Sequence, residues 1–287
     1  MKSRISVTFI IPTHNSSAHL GSCLESIKNQ KASPVRYDIC IADNQSTDDT
    51  LKIAKAYNAT IYKINGVPPR VCTQRNIGLK KSKNTYVYFL DHDMTLPPDF
   101  LQQLKHYIQK NPNVVAIQVP ENVVGNSVLM SRLKTFEKRA YEGTAIAAAR
   151  IIHRSTIRKL GLVYDEQLSG GPADWDMELQ LLEKGCSFGV LPHYVFHNEA
   201  NMSILASVKK RTGFKEGVAI YSQKWKKRNK TVYNAIILGK QLNPWYRLFG
   251  VFFRSQQIAE TFAHFGLYLL LLLYKFAIGV GYLRTSI

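Results

Sequence analysis

Residues 1 to about 120 alternate regularly between segments with the pattern of β-strands and segments with the pattern of amphipathic helices. The strand-like segments are short and rich in β-branched and aromatic residues, whereas those between them carry apolar residues at helical spacing. The strand-like segments are ISVTFII (5–11), YDICIAD (37–43), TIYKI (60–64), TYVYFLD (85–91) and VVAIQV (114–119). Strands that alternate with helices build βαβ units, so we predict an α/β fold with a mostly parallel, Rossmann-like sheet flanked by helices.

The C-terminal part of the chain has a different character. The alternation is less regular from 121 to 225, and residues 226–287 are basic and apolar, ending in FAHFGLYLLLLLYKFAIGVGYL (262–283). We predict that this tail is helical. The apolar stretch is long enough to cross a bilayer, but Lys275 near its middle argues against a simple span. Two alternatives are open. The apolar stretch either contacts a membrane, or it is buried in a dimer or against the main domain.

The net charge favours an anionic partner. Against 20 acidic residues the chain has 38 Lys or Arg, which gives a formal net charge of +18. Nucleic acid, an acidic membrane surface and a phosphorylated substrate would each suit that charge. The sequence lacks an RNP-like aromatic motif, a helix-turn-helix pattern and zinc-ligand spacing, so we do not expect nucleic acid to be the partner. Its four scattered cysteines indicate reduced residues in a cytosolic protein.

Two aspartates, Asp91 and Asp93, follow the buried-strand pattern of residues 86–90. Ligand crevices in open α/β sheets form at the carboxyl ends of strands, and neighbouring carboxylates repel unless a cation lies between them. DHDMTL (91–96) fits an acidic turn, the DxDxT motif of haloacid-dehalogenase-like phosphotransferases with Asp91 as nucleophile, or the DxD metal site of nucleotide-sugar-dependent glycosyltransferases. Position disfavours the phosphotransferase, whose nucleophile follows the first strand, because about 85 residues precede the motif here.

Three motifs in register resemble the inverting, nucleotide-sugar-dependent glycosyltransferases of family 2, which have a GT-A fold. They are FIIPTHN (9–15), IADNQSTDDT (41–50) and RNIGLKKSKNTYVYFLDHD (75–93). A fourth stretch, GLVYDEQLSGGPADWDMELQLLEKG (161–185), is similar to the family's Gly-Glu-Asp-x-Asp-Leu segment, although Ala173 stands where Glu is usual. The resemblance covers residues 5 to about 225 and excludes the apolar tail.

The resemblance implies a catalytic domain over residues 1–225, with a nucleotide-binding half (1–120) and an acceptor-binding half (121–225). The residues that it places at the donor are Pro12, Thr13, Asn15, Asp43, Arg75 and Asp91. The residues that it places at a divalent cation, Mg²⁺ or Mn²⁺, are Asp91, Asp93 and His197. Each has a structural alternative: the turn residues as helix caps, Arg75 on a solvated helix face, and His197 as a packed histidine.

Asp174 falls on the family's catalytic Asp, and Asp176 falls on the second acidic position of the same motif. An inverting displacement needs a carboxylate that takes the proton from the attacking hydroxyl, which makes Asp174 the predicted base. Asp176 is then predicted to position the base or to bind the acceptor. The alternative is that both are early acidic residues of a helix that starts near Trp175, after a glycine-rich loop.

The implied reaction is transfer of a sugar, with inversion, from a UDP- or GDP-sugar to a hydroxyl or phosphate acceptor. The basic, apolar tail favours a lipid-linked acceptor or a glycan, and association with the cytoplasmic face of a membrane. A homodimer formed through the tail is the alternative. The basic run of Lys209, Lys210 and Arg211 is predicted either to close over the diphosphate as a lid or to be solvated charge.

Overall fold

The computed structural model describes residues 5–31, 35–65, 71–168, 170–199 and 213–284, together with residues 206 and 209. Lys210 and Arg211 of the predicted basic lid lie outside the described residues. The strands are β1 (Ser6–Thr13), β2 (Arg36–Asp43), β3 (Thr60–Lys63), β4 (Tyr86–Phe89), β5 (Met94–Thr95), β6 (Ala116–Gln118), β7 (Glu121–Val124), β8 (Ala149–His153), β9 (Phe188–Val190) and β10 (Val195–Asn198).

Among the described residues, the strands form a seven-stranded sheet of order β3-β2-β1-β4-β8-β6-β9 and a three-stranded sheet of order β5-β10-β7. The pairs β3–β2, β2–β1, β1–β4 and β6–β9 are parallel, whereas β8 runs antiparallel to both β4 and β6. The prediction of an α/β fold with a mostly parallel sheet is therefore confirmed.

The first and fourth strands form the centre of the large sheet. All four residues of β4 are buried, as are seven of the eight residues of β1, because helices cover both faces of the sheet. One apolar cluster contains Phe9, Tyr88 and Phe100, and a second, on the opposite face, contains Ile10, Phe89 and Trp225. The carboxyl ends of β1, β2 and β4 consequently meet at one edge of the sheet, where the predicted donor residues lie.

Helices connect and cover these strands. They are α1 (Ser17–Lys28), α2 (Thr50–Ala56), α3 (Val71–Lys81), α4 (Phe100–Lys110), α5 (Val128–Tyr141), α6 (Arg154–Lys159), α7 (Gly171–Glu183), α8 (Lys215–Arg228), α9 (Lys230–Val232), α10 (Ile258–Ala263) and α11 (Phe265–Arg284). Two π-helical segments, Tyr233–Gln241 and Tyr246–Gly250, lie between α9 and α10. The helices predicted between the five strand-like segments of residues 5–119 are all present, as α1 to α4.

Helix α7 begins earlier than the sequence pattern predicted. It starts at Gly171 rather than near Trp175, because Pro172 in its first turn presets the helical φ angle. Gly170 precedes it with φ +60°, and a Cβ atom there would lie 2.4 Å from the Phe214 ring, so this position requires glycine. Asp174 therefore lies in the first turn of a helix, where the helix dipole favours a carboxylate.

The apolar tail is broken into two helices, and the second of them packs against α5. His264 separates α10 from α11, and α11 lies against α5 in a cluster that includes Phe136 and Leu271. Lys275 donates to the Glu137 carboxylate and to the Tyr141 hydroxyl, both on α5. Among the described residues, no helix combines the length and apolar character that crossing a membrane requires.

Candidate active site

The predicted donor residues of the first two strands lie together at the carboxyl edge of the large sheet. Thr13 ends β1 and Asp43 ends β2, and the two residues pair in register, just after the buried Pro12. The Thr13 hydroxyl donates to Asp43 Oδ1 at 2.8 Å, and the Ser46 amide donates to Asp43 Oδ2 at 3.0 Å. Asp43 is only 1% exposed, so its carboxylate is engaged in ordering this edge of the sheet.

Asn15 connects the loops that follow β1 and β2. Its backbone is left-handed, with φ +48°, and its side-chain oxygen accepts from the Thr47 amide at 2.8 Å. The backbone amide of Asn15 donates to the Ser46 hydroxyl at 2.9 Å. The cap position of α1 is occupied by Ser16, so the helix-cap alternative is wrong for Asn15. Asn15 is exposed, and a ligand at this edge can reach it.

Arg75 lies beneath the edge and joins two of the predicted site carboxylates. It is carried by α3 and is 3% exposed, so the solvated-helix alternative is wrong. Its guanidinium donates to Asp174 Oδ1, and Nη2 lies 3.3 Å from Asp91 Oδ1. The Tyr164 ring centroid lies 5.1 Å from the guanidinium carbon. Arg75 is thus held between the predicted donor residue Asp91 and the predicted base Asp174.

Arg150, on β8, is a second cation of the site that the motif analysis missed. Its Nη2 atom lies 3.1 Å from Asp91 Oδ2, and its Nη1 atom lies 3.7 Å from Asp174 Oδ2. The two arginines therefore bridge the same two carboxylates. Arg150 Nη1 is buried and has no hydrogen-bond partner among the described residues. The one sequence signal was a charged residue within the otherwise apolar strand pattern AARIIHR.

Asp93 and His197 meet at the small sheet. Strand β10 pairs with β5, and this places His197 Nε2 3.5 Å from Asp93 Oδ2. His197 Nδ1 lies 2.7 Å from Glu121 Oε2, and Glu121 also accepts from Lys138 of α5. Glu121 and Lys138 were not predicted as site residues, because they come from elements without a motif. The structure therefore brings Asp93 and His197 together in a chain of alternating charges.

The charges around these carboxylates set their ionisation. Burial would raise the pKa of Asp91, but Arg150 and Arg75 outweigh it and hold that pKa at about 2. Burial and Lys138 would lower the pKa of His197, but Glu121 and Asp93 outweigh them and raise it to about 9. At neutral pH Asp91 is therefore ionised and His197 is protonated. A metal ion on His197 would have to displace that proton.

The predicted metal ligands are residue types that bind divalent cations, but the structure does not group them as a coordination site. Two carboxylates and an imidazole are donors that Mn²⁺ accepts, and the carboxylates also suit Mg²⁺. In the structure both Asp91 oxygens lie against arginines, while Asp93 contacts His197. Within the part of the chain that the structure describes, no three His, Cys, Asp or Glu side chains are grouped as a metal site. The metal site stays a prediction.

A cavity of about 960 Å³ opens beside Asp174. Its lining includes the charged residues Glu121, Arg150 and Asp174, together with Trp175. The Trp175 indole nitrogen donates to the Ile146 carbonyl at 2.9 Å, which fixes that ring. A cavity of this volume is in the range of small-molecule sites, and Asp174 is part of its lining.

Asp176 is not at the cavity. It is 0% exposed and accepts hydrogen bonds from Trp225 Nε1 at 2.8 Å, Lys224 Nζ at 2.9 Å and Gln180 Nε2 at 2.8 Å. Its carboxylate ties α7 to α8. The structure therefore does not support the predicted role of Asp176 in binding the acceptor, and it gives this residue a stabilising role instead.

We expect Asp176→Asn to lower the free energy of unfolding by about 3 kcal/mol, because it leaves the Lys224 ammonium beside a group without charge. Urea denaturation followed by tryptophan fluorescence measures the change. Asp165→Asn is the control: Asp165 Oδ2 lies 2.8 Å from the same Lys224 nitrogen but its side chain is 23% exposed. We expect that control to cost less than about 1 kcal/mol. Equal losses for the two variants would contradict the stabilising role.

Glu178, one turn after Asp174 on α7, makes stability depend on pH. Burial raises its pKa to about 8, against the hydrogen bonds from the Ala149 amide and Gln118. The folded state then binds more protons than the unfolded state between about pH 4.5 and pH 8, so stability falls as pH rises through that window. We expect Glu178→Gln to remove this dependence and to raise the free energy of unfolding at pH 8 by about 2 kcal/mol. Urea midpoints of both proteins, measured from pH 5 to 8, check this. If the midpoint of the variant falls with pH as steeply as that of the wild type, Glu178 is not the cause.

Both the sequence and the fold are similar to those of known proteins. Residues 8–162 match the model of the family described as "Glycosyl transferase family 2". The chain belongs to that family. The predicted family is thereby confirmed.

Among curated relatives, the poly(ribitol-phosphate) β-N-acetylglucosaminyltransferase TarP of Staphylococcus aureus is 28% identical over 161 residues, which are 55% of this chain and 47% of TarP. Chondroitin synthase of Escherichia coli is 28% identical over 193 residues, 62% of this chain and 27% of the synthase. The chain thus spans less than half the length of these two relatives.

Among solved structures, S. aureus TarS 1–349 in complex with UDP-GlcNAc has a TM-score of 0.60 and 16% identity, over 96% of this chain and 82% of that one. The similarity shows that the two proteins share a fold. It extends over nearly the whole family 2 chain described here, including much of the C-terminal part that lies outside the family match.

Proposed function

We propose that this family 2 protein transfers a sugar, with inversion, from a nucleotide-diphosphate sugar to an acceptor bound in the cavity beside Asp174. The observation that carries the proposal is the pair of arginines that contacts both Asp91 and Asp174. They join the donor edge of the sheet to the acceptor cavity within one ion-pair network. A donor phosphate and an acceptor hydroxyl would therefore meet where the two arginines lie.

The donor is proposed to be a UDP-sugar in the first place, with a GDP-sugar as the alternative. TarS, which shares the fold, has been solved with UDP-GlcNAc. The ordered edge of Thr13, Asn15 and Asp43 would receive the nucleoside. Arg150 Nη1, which is buried and has no hydrogen-bond partner among the described residues, supplies an N–H group suited to a phosphate oxygen. Binding of a diphosphate would satisfy that atom.

A divalent cation, Mg²⁺ or Mn²⁺, is proposed on Asp91, Asp93 and His197. When bound there it would neutralise charge on the departing nucleoside diphosphate. The chain's own contribution is to keep Asp91 ionised through Arg75 and Arg150 and to hold Asp93 beside His197. These contacts keep negative charge at the strand edge before a ligand arrives.

Asp174 is proposed to take the proton from the attacking acceptor hydroxyl. Its Oδ1 atom accepts from Arg75, and the residue lines the cavity. The hydrogen bond to a rigid, buried guanidinium fixes the carboxylate relative to the donor edge. A base held in this way can accept the proton as the new glycosidic bond forms on the opposite face from the leaving group.

The acceptor is proposed to be lipid-linked or a glycan, handled at the cytoplasmic face of a membrane. Residues 226–287 contain nine Lys or Arg and a single acidic residue, Glu260. Large apolar side chains are exposed on the same part of the chain, among them Trp245 at 73%. Cationic and aromatic surface together suit an anionic leaflet. A homodimer through this surface is the alternative occupant.

Titration calorimetry with nucleotides tests the donor site. We expect UDP or GDP to bind in the presence of Mn²⁺, at least about tenfold more tightly than the matching nucleoside monophosphate. Excess EDTA should weaken diphosphate binding by a similar factor, because it removes the cation proposed at Asp91 and Asp93. Equal affinity for the nucleoside mono- and diphosphates, or no binding of either UDP or GDP, would contradict the proposal.

A further inference from the structure

The cavity beside Asp174 is lined by both charged and apolar residues. Asp174 and Arg150 are among the charged ones, and the last described turns of α11, here called the α11 wall, contribute Lys275, Phe276, Ile278 and Gly279. The α11 wall is mainly apolar, and the ammonium of Lys275 is paired with Glu137. The wall comes from the tail, which lies beyond the residues matched by the family model.

Lys275 fixes the α11 wall in position. This lysine is the charged residue within an otherwise apolar stretch of the helix, and its ammonium contacts the Glu137 carboxylate and the Tyr141 hydroxyl of α5. The side chains of Lys275 and Glu137 are each 10% exposed. A buried ion pair is specific in its geometry, because either charge alone would be costly to bury. The wall therefore belongs to the folded domain.

The character of this wall decides what it can bind. A sugar buried against it would lose hydrogen bonds to water and find few replacements, whereas a hydrocarbon loses none. Phe276 both lines the cavity and is 73% exposed. It continues an exposed stripe on the same helix formed by Phe265, Leu269 and Leu273. Apolar side chains of α11 thus lie both on the exposed surface and in the cavity lining.

We infer that the α11 wall is a subsite for the hydrocarbon chain of an amphiphilic acceptor, whose polar head lies at Asp174. The inference rests on the proposed function, which places the acceptor in this cavity. It adds the chemical class of the acceptor and the part of the chain that selects it. The tail would then form part of the acceptor site as well as a surface for the membrane.

Gly279 allows this subsite to be filled without disturbing the fold. A Cβ atom built at Gly279 meets no neighbouring atom of the described residues within 4 Å, so Gly279→Phe adds a ring at the cavity lining without a clash at its first atom. Gly266, on the same helix but away from the cavity, likewise has no atom within 4 Å of such a Cβ. Gly266→Phe is therefore the matched control for adding an aromatic ring to α11.

The test uses the full chain with butyl and octyl β-glucoside, both below their micelle concentrations, and titration calorimetry. Octyl glucoside should bind the wild type and Gly266→Phe at least about tenfold more tightly than butyl glucoside, because it buries four more methylene groups. Gly279→Phe should lose that chain-length preference. If the phenylalanine lowers the thermal midpoint, Gly279→Leu serves in its place.

Equal affinity for the two glucosides in the wild type, or a preference that persists in Gly279→Phe, would overturn the subsite. Loss of the preference in both glycine variants would also overturn it, because that result assigns binding to the exposed stripe. UDP-GlcNAc binding, measured on the same samples with Mn²⁺, separates the two proposals. Failure of the nucleotide to bind while the chain-length preference follows Gly279 would contradict the proposed function and leave the subsite standing.

Discussion

Asp174→Asn is expected to lower the rate of sugar transfer to a hydroxyl acceptor by about a hundredfold to ten-thousandfold. The amide has the shape of the carboxylate but cannot take the proton from the attacking hydroxyl. Arg75, which donates to Asp174, keeps Asp91 as a partner, so the site should stay assembled. Initial rates of nucleoside diphosphate release, with and without acceptor, measure the effect. The affinity for the donor should change by less than about threefold.

Glu178→Gln is the matched control for this variant. Glu178 lies one turn further along α7 and, with a pKa of about 8, is mostly neutral at pH 7. Its replacement by the neutral amide should leave transfer at pH 7 close to the wild-type rate. Near wild-type transfer by Asp174→Asn to a hydroxyl would contradict the role of Asp174 as base. The same result with a phosphate acceptor would identify the acceptor instead, since a phosphate is already ionised.

Asp93→Asn is expected to lower donor turnover by about a hundredfold or more and to abolish the effect of Mn²⁺ on UDP affinity. Asp93 has fewer ionic contacts than Asp91, because its side chain contacts His197, whereas that of Asp91 contacts two arginines. Removal of its charge therefore probes the cation site with little disturbance of the ion-pair network. Calorimetry of UDP over a range of Mn²⁺ concentrations measures the affinity.

Asp99→Asn controls for the loss of a carboxylate next to a histidine. Asp99 Oδ1 lies 3.2 Å from His193 Nε2, outside the proposed site. Turnover and Mn²⁺ dependence should both be unchanged in this variant. If Asp93→Asn kept a full response to Mn²⁺, the cation would have to be held elsewhere.

The sheet and its ligand edge could be predicted from the sequence because both depend on local patterns. The buried strand of residues 86–89 and the two aspartates after it are adjacent in the chain, and parallel strands align their carboxyl ends. Asp174 could be identified by its motif. Its place in the first turn of α7 depends on Pro172, the residue in the sequence that favours the earlier helix start.

The remaining parts of the site depend on contacts between distant segments. Arg150 meets Asp91 only because β8 pairs with β4, and Glu121 meets His197 only because β7 pairs with β10. These pairings follow from topology, and no short motif encodes them. Asp174 and Asp176 are two residues apart but differ in burial, because α8 packs over Asp176 and leaves Asp174 at the cavity. This difference likewise depends on contacts between distant segments.

The most direct test of the proposed donor site is anomalous X-ray scattering from crystals of the protein grown with UDP and Mn²⁺. We expect a manganese peak in direct or water-mediated contact with the carboxylates of Asp91 and Asp93 and with the diphosphate. We also expect the nucleoside beside Asn15 and Asp43. A diphosphate bound at this edge without manganese, or manganese and UDP bound away from these aspartates, would contradict the proposed site.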